Sequence, residues 1–182
     1  MNFIPTPIPG LIVVEPQIWN DERGYFIETY NENVFNAHGI SETFVQDNVS
    51  YSRQGVLRGM HAQAGSQAQG KLVRVLRGSV LDVVVDIRKQ SDTYGQSFSI
   101  TLDADKAKAL WIPPGFLHGF LALEDHTVFA YKVTGFYDKS GEVGVRWDDP
   151  DLHIEWPLSG DELIISEKDR QLPRLKEIRS PF

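Results

Sequence analysis

A histidine and a lysine flank one loop of this chain, each at the end of a strand-like run. His61 ends the run Gln54–His61, and Lys71 begins the run Lys71–Arg77. A neutral imidazole accepts a proton near pH 7, and a nearby ammonium stabilises the anion that remains. The pair indicates removal of a proton from carbon next to a carbonyl group. A structural alternative stays open, because strand-end histidines and lysines often only form hydrogen bonds or face water.

Short strand-like segments surround this pair. Alternating or apolar runs predict further strands at Leu11–Glu15, Tyr25–Tyr30, Thr43–Ser50, Ser79–Arg88, Phe98–Leu102 and Thr127–Val133, and Trp111–Leu121 is predicted to be a rigid turn that leads into a strand. Short helices are predicted at Asn33–His38, at Asp103–Leu110 and after Ser166, which is a suitable N-cap. Many strands and few helices favour an all-β sandwich or barrel. No boundary divides the chain, so residues 1–182 are predicted to form one domain.

The strand Ser79–Arg88 alternates most regularly. Asp82, Val84 and Asp86 share one of its faces. Polar residues that recur on a strand face indicate either the lining of a cavity or the side that faces solvent. The sequence leaves both alternatives open.

Composition narrows the classes of function. The 182 residues carry a net charge of −7, which disfavours a general nucleic-acid binder. The absence of cysteine excludes disulfides, thiolate zinc sites and cysteine nucleophiles. The first ten residues have neither a basic region nor a long apolar core, so we expect a cytoplasmic protein without membrane contact.

Seven short motifs occur in order along the chain. They are Asp21–Gly24, Phe44–Asn48, Gly55–His61, Gln69–Arg74, Trp111–Gly115, Tyr131–Lys132 and Arg146–Pro150. Together they resemble the dTDP-4-dehydrorhamnose 3,5-epimerase family from roughly residue 2 to residue 175. The resemblance implies a cupin-type jelly roll, a homodimer in which N-terminal strands cross to the partner, and no metal or redox cofactor. It also implies inversion of C3 and C5 of dTDP-4-dehydro-6-deoxy-D-glucose, which gives dTDP-4-dehydro-L-rhamnose.

The resemblance assigns four catalytic residues. His61 matches the base, and Tyr131 matches the acid that returns a proton from the opposite face. A phenol has an ordinary pKa of about 10 and is therefore protonated at pH 7. Asp169 matches the carboxylate that orients the histidine, and Lys71 matches the ammonium near the ketone oxygen. The residues alone leave open that Tyr131 is a core aromatic and that Asp169 and Lys71 face solvent.

The same resemblance implies contacts with the nucleotide sugar. Arginine suits the pyrophosphate because its planar group pairs with two oxygens at once, and Tyr137 matches an aromatic that stacks on thymine. The full set of substrate-binding residues is Arg23, Glu28, Gln46, Asn48, Arg58, Lys71, His118, Tyr137, Glu142 and Lys168.

Two local features qualify this assignment. Strict alternation places Arg58 and His61 on opposite faces of their strand, although the family uses both in one cavity. We therefore predict irregular strand pairing near Gly59. Position 62 is alanine where the family often has an aromatic, and the loop 64–66 lacks the expected prolines, so the range of substrates could differ.

Three alternatives stay open. A relative in the same family could epimerise C3 only. A metal-dependent cupin would need further histidines and a glutamate, but Gln63 and Gln67 stand near those positions and only His118 fits. A non-catalytic sugar-nucleotide-binding protein would not need both a base and an acid. Serine hydrolases and P-loop NTPases are disfavoured because their motifs are missing.

Overall fold

The computed structural model describes residues 1–182 and consists mainly of strands. The strands are β1 (Asn2–Pro5), β2 (Ile12–Glu15), β3 (Ile18–Asp21), β4 (Gly24–Ile27), β5 (Gln46–Ser52), β6 (Val56–Gln63), β7 (Lys71–Arg77), β8 (Ser79–Asp86), β9 (Ser97–Asp103), β10 (Ala109–Ile112), β11 (Phe116–Ala122), β12 (Thr127–Val133), β13 (Glu142–Gly144) and β14 (Ile164–Ile165). Two short helices, α1 (Glu32–Ala37) and α2 (Glu167–Arg170), complete the regular structure. No helix is long and apolar enough to cross a membrane.

The strands form two large sheets and one hairpin. Sheet I has the order β1-β2-β10-β7-β12-β5, and sheet II has the order β13-β6-β11-β8-β9, with β14 parallel to β6. Strands β3 and β4 form the separate hairpin. Val73 and Phe129 of sheet I share one buried cluster with Val84 and Phe120 of sheet II, so the sheets pack face to face. The predicted all-β, cupin-type jelly roll is confirmed.

Strand β8 has no side that faces solvent. Val83 and Val85 lie on the outer face of sheet II, where the C-terminal segment covers them through residues such as Leu175. On the inner face, Asp82 and Asp86 have no exposed surface at all. For these two aspartates the solvent-facing alternative is therefore wrong, because the sheet is covered on both sides.

The helix predictions had different outcomes. Helix α1 is confirmed, and α2 is confirmed with the Ser166 side chain accepting a bond from the Asp169 N–H at 3.1 Å. The helix predicted at Asp103–Leu110 is wrong. The Asp103 carboxylate instead accepts the Lys106 N–H at 2.7 Å in a turn, and the chain continues into β10. Burial of β10 between β2 and β7 outweighs the local helical preference.

Strand β6 is irregular at Gly59, as predicted. His61 pairs with His118 on β11, but Arg58 pairs with Phe120, so one additional residue is accommodated on β6. Gly59 has φ +125°, and a Cβ there would lie 2.5 Å from the Cα of Gly119. Only glycine fits this close approach. The bulge changes which way the flanking side chains point, and Arg58 and His61 line the same cavity.

Candidate active site

A cavity of about 590 Å³ lies between the two sheets. Its lining includes seven side chains that the sequence singled out: Arg58, His61, Lys71, His118, Tyr131, Lys168 and Asp169. They come from β6, β7, β11, β12 and α2. Residues more than a hundred positions apart along the chain thus surround a single concave site, which is the usual form of a small-molecule site.

His61 and Asp169 form a hydrogen-bonded pair at the wall of this cavity. Nε2 of His61 lies 2.8 Å from Oδ1 of Asp169, whose side chain is only 6% exposed. The Gly59 N–H donates to Oδ2 of the same carboxylate at 3.3 Å. Burial by itself raises the pKa of Asp169, but the bonds from His61 and Gly59 hold it below its ordinary value. The charged carboxylate accepts the Nε2–H proton, so Nδ1 is left free to act as a base.

Local structure places Asp169 beneath this histidine. Strand β14 runs parallel to the start of β6, pairing Ile165 with Leu57. Ser166 follows and caps α2, so the first turn of the helix lies beside β6. The two short elements thereby bring a C-terminal carboxylate to a histidine on β6.

Tyr131 approaches from the opposite wall. It lies on β12 of sheet I, paired with Val73 and Asn48, whereas His61 belongs to sheet II. Burial raises the pKa of the Tyr131 hydroxyl, while Arg58 acts in the opposite direction. The phenol therefore stays protonated at neutral pH. A base and a proton donor on facing walls can act on opposite faces of one bound molecule.

Lys71 begins β7 of sheet I and lines both cavities together with His61 and Tyr131. Burial lowers its pKa to about 8, and the charges of Asp82 and Glu142 oppose that decrease. The ammonium form still predominates at pH 7. A cation in this position can stabilise negative charge that develops on a bound oxygen.

His118 has a carboxylate partner of its own. Its Nε2 lies 2.9 Å from Oδ2 of Asp82, and the two side chains are 8% and 0% exposed. The sequence had predicted His118 as a substrate contact but had not assigned Asp82 any role. The signal was present in the recurring aspartates of β8, although it did not distinguish a cavity from a solvent-facing surface.

A second cavity of about 250 Å³ adjoins the first and shares His61, Lys71 and Tyr131 with it. Four predicted substrate contacts line it: Gln46, Asn48, Tyr137 and Glu142. The Gln46 amide donates to the Asn48 side chain at 2.8 Å, and the Tyr137 hydroxyl donates to Glu142 at 3.3 Å. Lys168 of α2, which lines the first cavity, forms an ion pair with Glu142. Gln46, Asn48, Tyr137 and Glu142 therefore line a cavity that is continuous in its lining with the one that holds the catalytic candidates.

Three glutamines that sequence reasoning did not assign to binding hold the segment that carries Tyr137. Gln63 bonds the backbone of Asp138, Gln67 accepts the Phe136 N–H at 2.9 Å, and Gln69 donates to the carbonyl of Gly135 at 2.7 Å. These bonds attach the loop after β12 to the loop after His61. No sequence pattern indicated this pairing, because the two loops are far apart along the chain.

Two predicted substrate contacts lie apart from the others within one chain. Arg23 lies in the turn of the β3–β4 hairpin, where its side chain is 85% exposed and pairs with Asp21. Glu28 follows the hairpin and accepts a bond from Asn31 at 3.2 Å. Neither residue lines the two cavities described above.

The two histidines of the cavity, His61 and His118, are each engaged by a carboxylate. His61 and His118 each contact a different aspartate, and the Gln63 side chain is engaged by Asp138. No group of three or more His, Asp or Glu side chains is arranged to hold a metal ion. The arrangement supports acid–base chemistry supplied by side chains.

The fold and the site define a class: a cupin-type jelly roll with a histidine–carboxylate pair facing a tyrosine across its cavity. The sequence matches the profile of the family described as dTDP-4-dehydrorhamnose 3,5-epimerase over residues 5–177. A relative of that name from Methanothermobacter thermautotrophicus is 51% identical over 177 residues, which cover 97% of this chain and 95% of the relative. The chain belongs to the dTDP-4-dehydrorhamnose 3,5-epimerase family.

Solved structures agree with this assignment. A dTDP-6-deoxy-D-glucose-3,5-epimerase from Legionella pneumophila, in complex with dTDP-4-keto-L-rhamnose, has a TM-score of 0.93 and 45% identity, with 98% of this chain and 94% of that chain covered. A 3'-monoepimerase from Streptomyces bikiniensis, in complex with dTDP-quinovose, has a TM-score of 0.88 and 33% identity, with 94% and 87% covered. The same fold thus occurs in enzymes that act on different numbers of carbons.

Proposed function

We propose that this protein epimerises C3 and C5 of dTDP-4-dehydro-6-deoxy-D-glucose to give dTDP-4-dehydro-L-rhamnose. The observation that carries the proposal is the His61–Asp169 pair facing Tyr131 across one cavity, in a chain whose relatives bear the name of this activity. The reaction removes a proton from one face of a carbon and delivers a proton to the other face. Groups on facing walls meet that requirement.

Each inversion follows from the roles of these side chains. The C4 ketone acidifies the hydrogens on C3 and C5, and Nδ1 of His61 takes one of them. The electron pair of the broken C–H bond moves onto the C4 oxygen, where the Lys71 ammonium stabilises the enolate. Tyr131 then donates its hydroxyl proton to the opposite face of the carbon. Exchange with solvent removes the proton from His61 and restores it to Tyr131 before the second carbon reacts.

The nucleotide portion extends from this centre toward the mouth of the cavities. Arg58 is suited to the pyrophosphate, and Gln46 and Asn48 to polar groups of the sugar or the base. Tyr137 is 60% exposed at the rim and can stack on thymine. Glu142 and Lys168 are further contacts in this proposal.

A homodimer would complete the binding site. The β3–β4 hairpin exposes Trp19, Tyr25 and Phe26 by 51%, 69% and 68%. Large exposed apolar surface of this kind indicates an interface. We propose that the hairpin packs on a second copy and delivers Arg23 to the partner's site. Sedimentation of a monomer that retains full activity would contradict this. The cytoplasmic location remains a prediction from the sequence.

The experiment that tests the function is proton exchange followed by NMR. Pure protein is incubated with dTDP-4-dehydro-6-deoxy-D-glucose in D₂O, and the signals of C3–H and C5–H are recorded over time. We expect deuterium at both carbons, loss of exchange in His61→Ala, and normal exchange in His38→Ala, a control at an exposed histidine next to α1. The absence of exchange at both carbons would refute the assigned substrate.

A C3-specific epimerase is the second candidate, because the chain also resembles the 3'-monoepimerase from Streptomyces bikiniensis. Ala62 and the loop 64–66 adjoin the base, so they can affect how the sugar lies against His61. Deuterium at C3 alone in the same experiment would favour this candidate.

A further inference from the structure

His61 and His118 both line the first cavity, and each pairs with a different aspartate. His61 on β6 and His118 on β11 are direct cross-strand partners, which places their Cβ atoms about 4.5–5.5 Å apart. His61 contacts Asp169 and His118 contacts Asp82. The mechanism described above uses only the first pair, so the second pair requires its own explanation.

Asp82 is fully buried and contacts the site through His118. Asp82 has no exposed surface, and its Oδ2 accepts a hydrogen bond from Nε2 of His118 at 2.9 Å. Its Oδ1 is buried and has no hydrogen-bond partner in the protein. Burying a carboxylate is costly unless charges and hydrogen bonds compensate for the lost hydration. One hydrogen bond leaves half of this carboxylate uncompensated, and a nearby cation would offset that cost.

Lys71, on the facing sheet, is the cation whose charge interacts with Asp82. The other charged groups around the cavity are Arg58 and Lys168, which are positive, and Asp169 and Glu142, which are negative. Asp169 is engaged by His61, and Glu142 is engaged by Lys168. The titratable groups that remain facing the site are His61, His118 and Tyr131. Asp169 and Glu142 thus have partners of their own, whereas Asp82 has no cation of the site as a partner except Lys71.

We propose that Asp82 is a positioning residue of this site: it fixes the ring of His118 through Nε2, and its buried, unpaired carboxylate oxygen supplies a counter-charge to the Lys71 ammonium. This inference rests on the proposed function, in which Lys71 stabilises the enolate. Because Asp82 accepts from Nε2–H, Nδ1 of His118 carries no proton and accepts a hydrogen bond from a sugar hydroxyl. One aspartate thus connects a substrate contact with the cation that stabilises the intermediate.

The sign of the effect follows from the surroundings of Lys71. Burial already lowers the pKa of Lys71 to about 8, and Asp82 opposes that decrease. Asparagine at position 82 retains an acceptor for His118 but removes the negative charge. The pKa of Lys71 then falls further, because an opposite charge that favoured the ammonium form has been removed. The ammonium is lost at a lower pH, and activity is lost with it.

The test compares the pH dependence of kcat/KM for the wild type, Asp82→Asn and Asp86→Asn. Asp86 is a matched control, because it lies on the same face of β8 and is equally buried, but its carboxylate is bonded by Arg88, Ser91 and Thr93 and not by a residue that lines the cavity. We expect the alkaline limb of Asp82→Asn to move down by about one pH unit. The limb of Asp86→Asn should stay at the wild-type position. An unmoved limb in a folded Asp82→Asn protein overturns the inference.

Asp82→Glu provides an independent check that does not depend on the folding of the asparagine variant. It keeps the charge next to His118 but displaces that ring, so we expect a raised KM and an alkaline limb at the wild-type position. A limb lowered as far as in the asparagine variant overturns the counter-charge role. If the wild type itself fails to exchange C3–H and C5–H, the proposed function fails. If it exchanges them and the limb does not move, only the role of Asp82 fails.

Discussion

The substitution Asp169→Asn tests the base most directly. Oδ2 of Asp169 accepts the Gly59 N–H, and Oδ1 accepts from Nε2 of His61 at 2.8 Å. An asparagine keeps its carbonyl oxygen toward Gly59 and therefore turns its NH₂ group toward His61. Nε2 must then accept a hydrogen bond, and the proton moves to Nδ1, the nitrogen that acts as the base in the proposed mechanism. The base is replaced by a donor while the shape of the site is preserved.

The magnitude follows from the bond that is lost. A hydrogen bond to a charged group contributes about 1.5–3 kcal/mol. Loss of that contribution in the transition state corresponds to a decrease of roughly 10- to 150-fold in kcat, and the wrong tautomer adds to it. The 6% exposure of the Asp169 side chain means that solvent screening does not weaken the effect.

The assay is the initial rate of deuterium incorporation at C3 and C5 in D₂O, measured at saturating substrate. Asp149→Asn is the matched control, because Asp149 is also buried and accepts backbone N–H groups of Asp151 and Leu175 away from both cavities. We expect a large decrease in kcat for Asp169→Asn alone. A folded Asp169→Asn protein with kcat within threefold of the wild type, a margin of about 0.7 kcal/mol, would refute the reasoning.

Two further predictions concern the acid and the stability of the fold. In Tyr131→Phe, His61 still removes and returns protons on one face, so C3–H exchange should continue while formation of inverted product falls by roughly 10²–10⁴-fold. Equal loss of exchange and inversion would contradict this. Arg88, Ser91 and Thr93 donate to the buried Asp86 carboxylate and, against the effect of burial, lower its pKa to about 2. Because this pKa lies below the unfolded value, the stabilisation is present above pH 4 and is lost as the pH falls toward 2. Asp86→Asn should therefore lower the free energy of unfolding by about 2 kcal/mol at neutral pH, and the difference should narrow below pH 4. Denaturant titrations at several pH values measure this, and a difference that does not depend on pH would contradict the assignment.

Local patterns were sufficient to determine much of the architecture. Strands β7 and β12 have the predicted bounds, because each alternates along its whole length and has a turn on either side. The helix after Ser166 was predictable from its cap, since capping depends on residues within one turn. The helix prediction at Asp103–Leu110 was wrong for the opposite reason. Pairing of β10 with strands distant in sequence decided its conformation, and no local preference reports on such pairing.

The sequence by itself determined which residue types are available for chemistry, and the order of its motifs indicated a base, an acid and a cation in His61, Tyr131 and Lys71. The tertiary structure alone decided how they meet. Sheets I and II place His61 and Tyr131 on facing walls, and the bulge at Gly59 allows Arg58 and His61 to share a cavity. The tertiary structure also paired Asp82 with His118. The reason is physical: distances across a cavity depend on the packing of two sheets, and the periodicity of one strand carries no information about the strand that faces it.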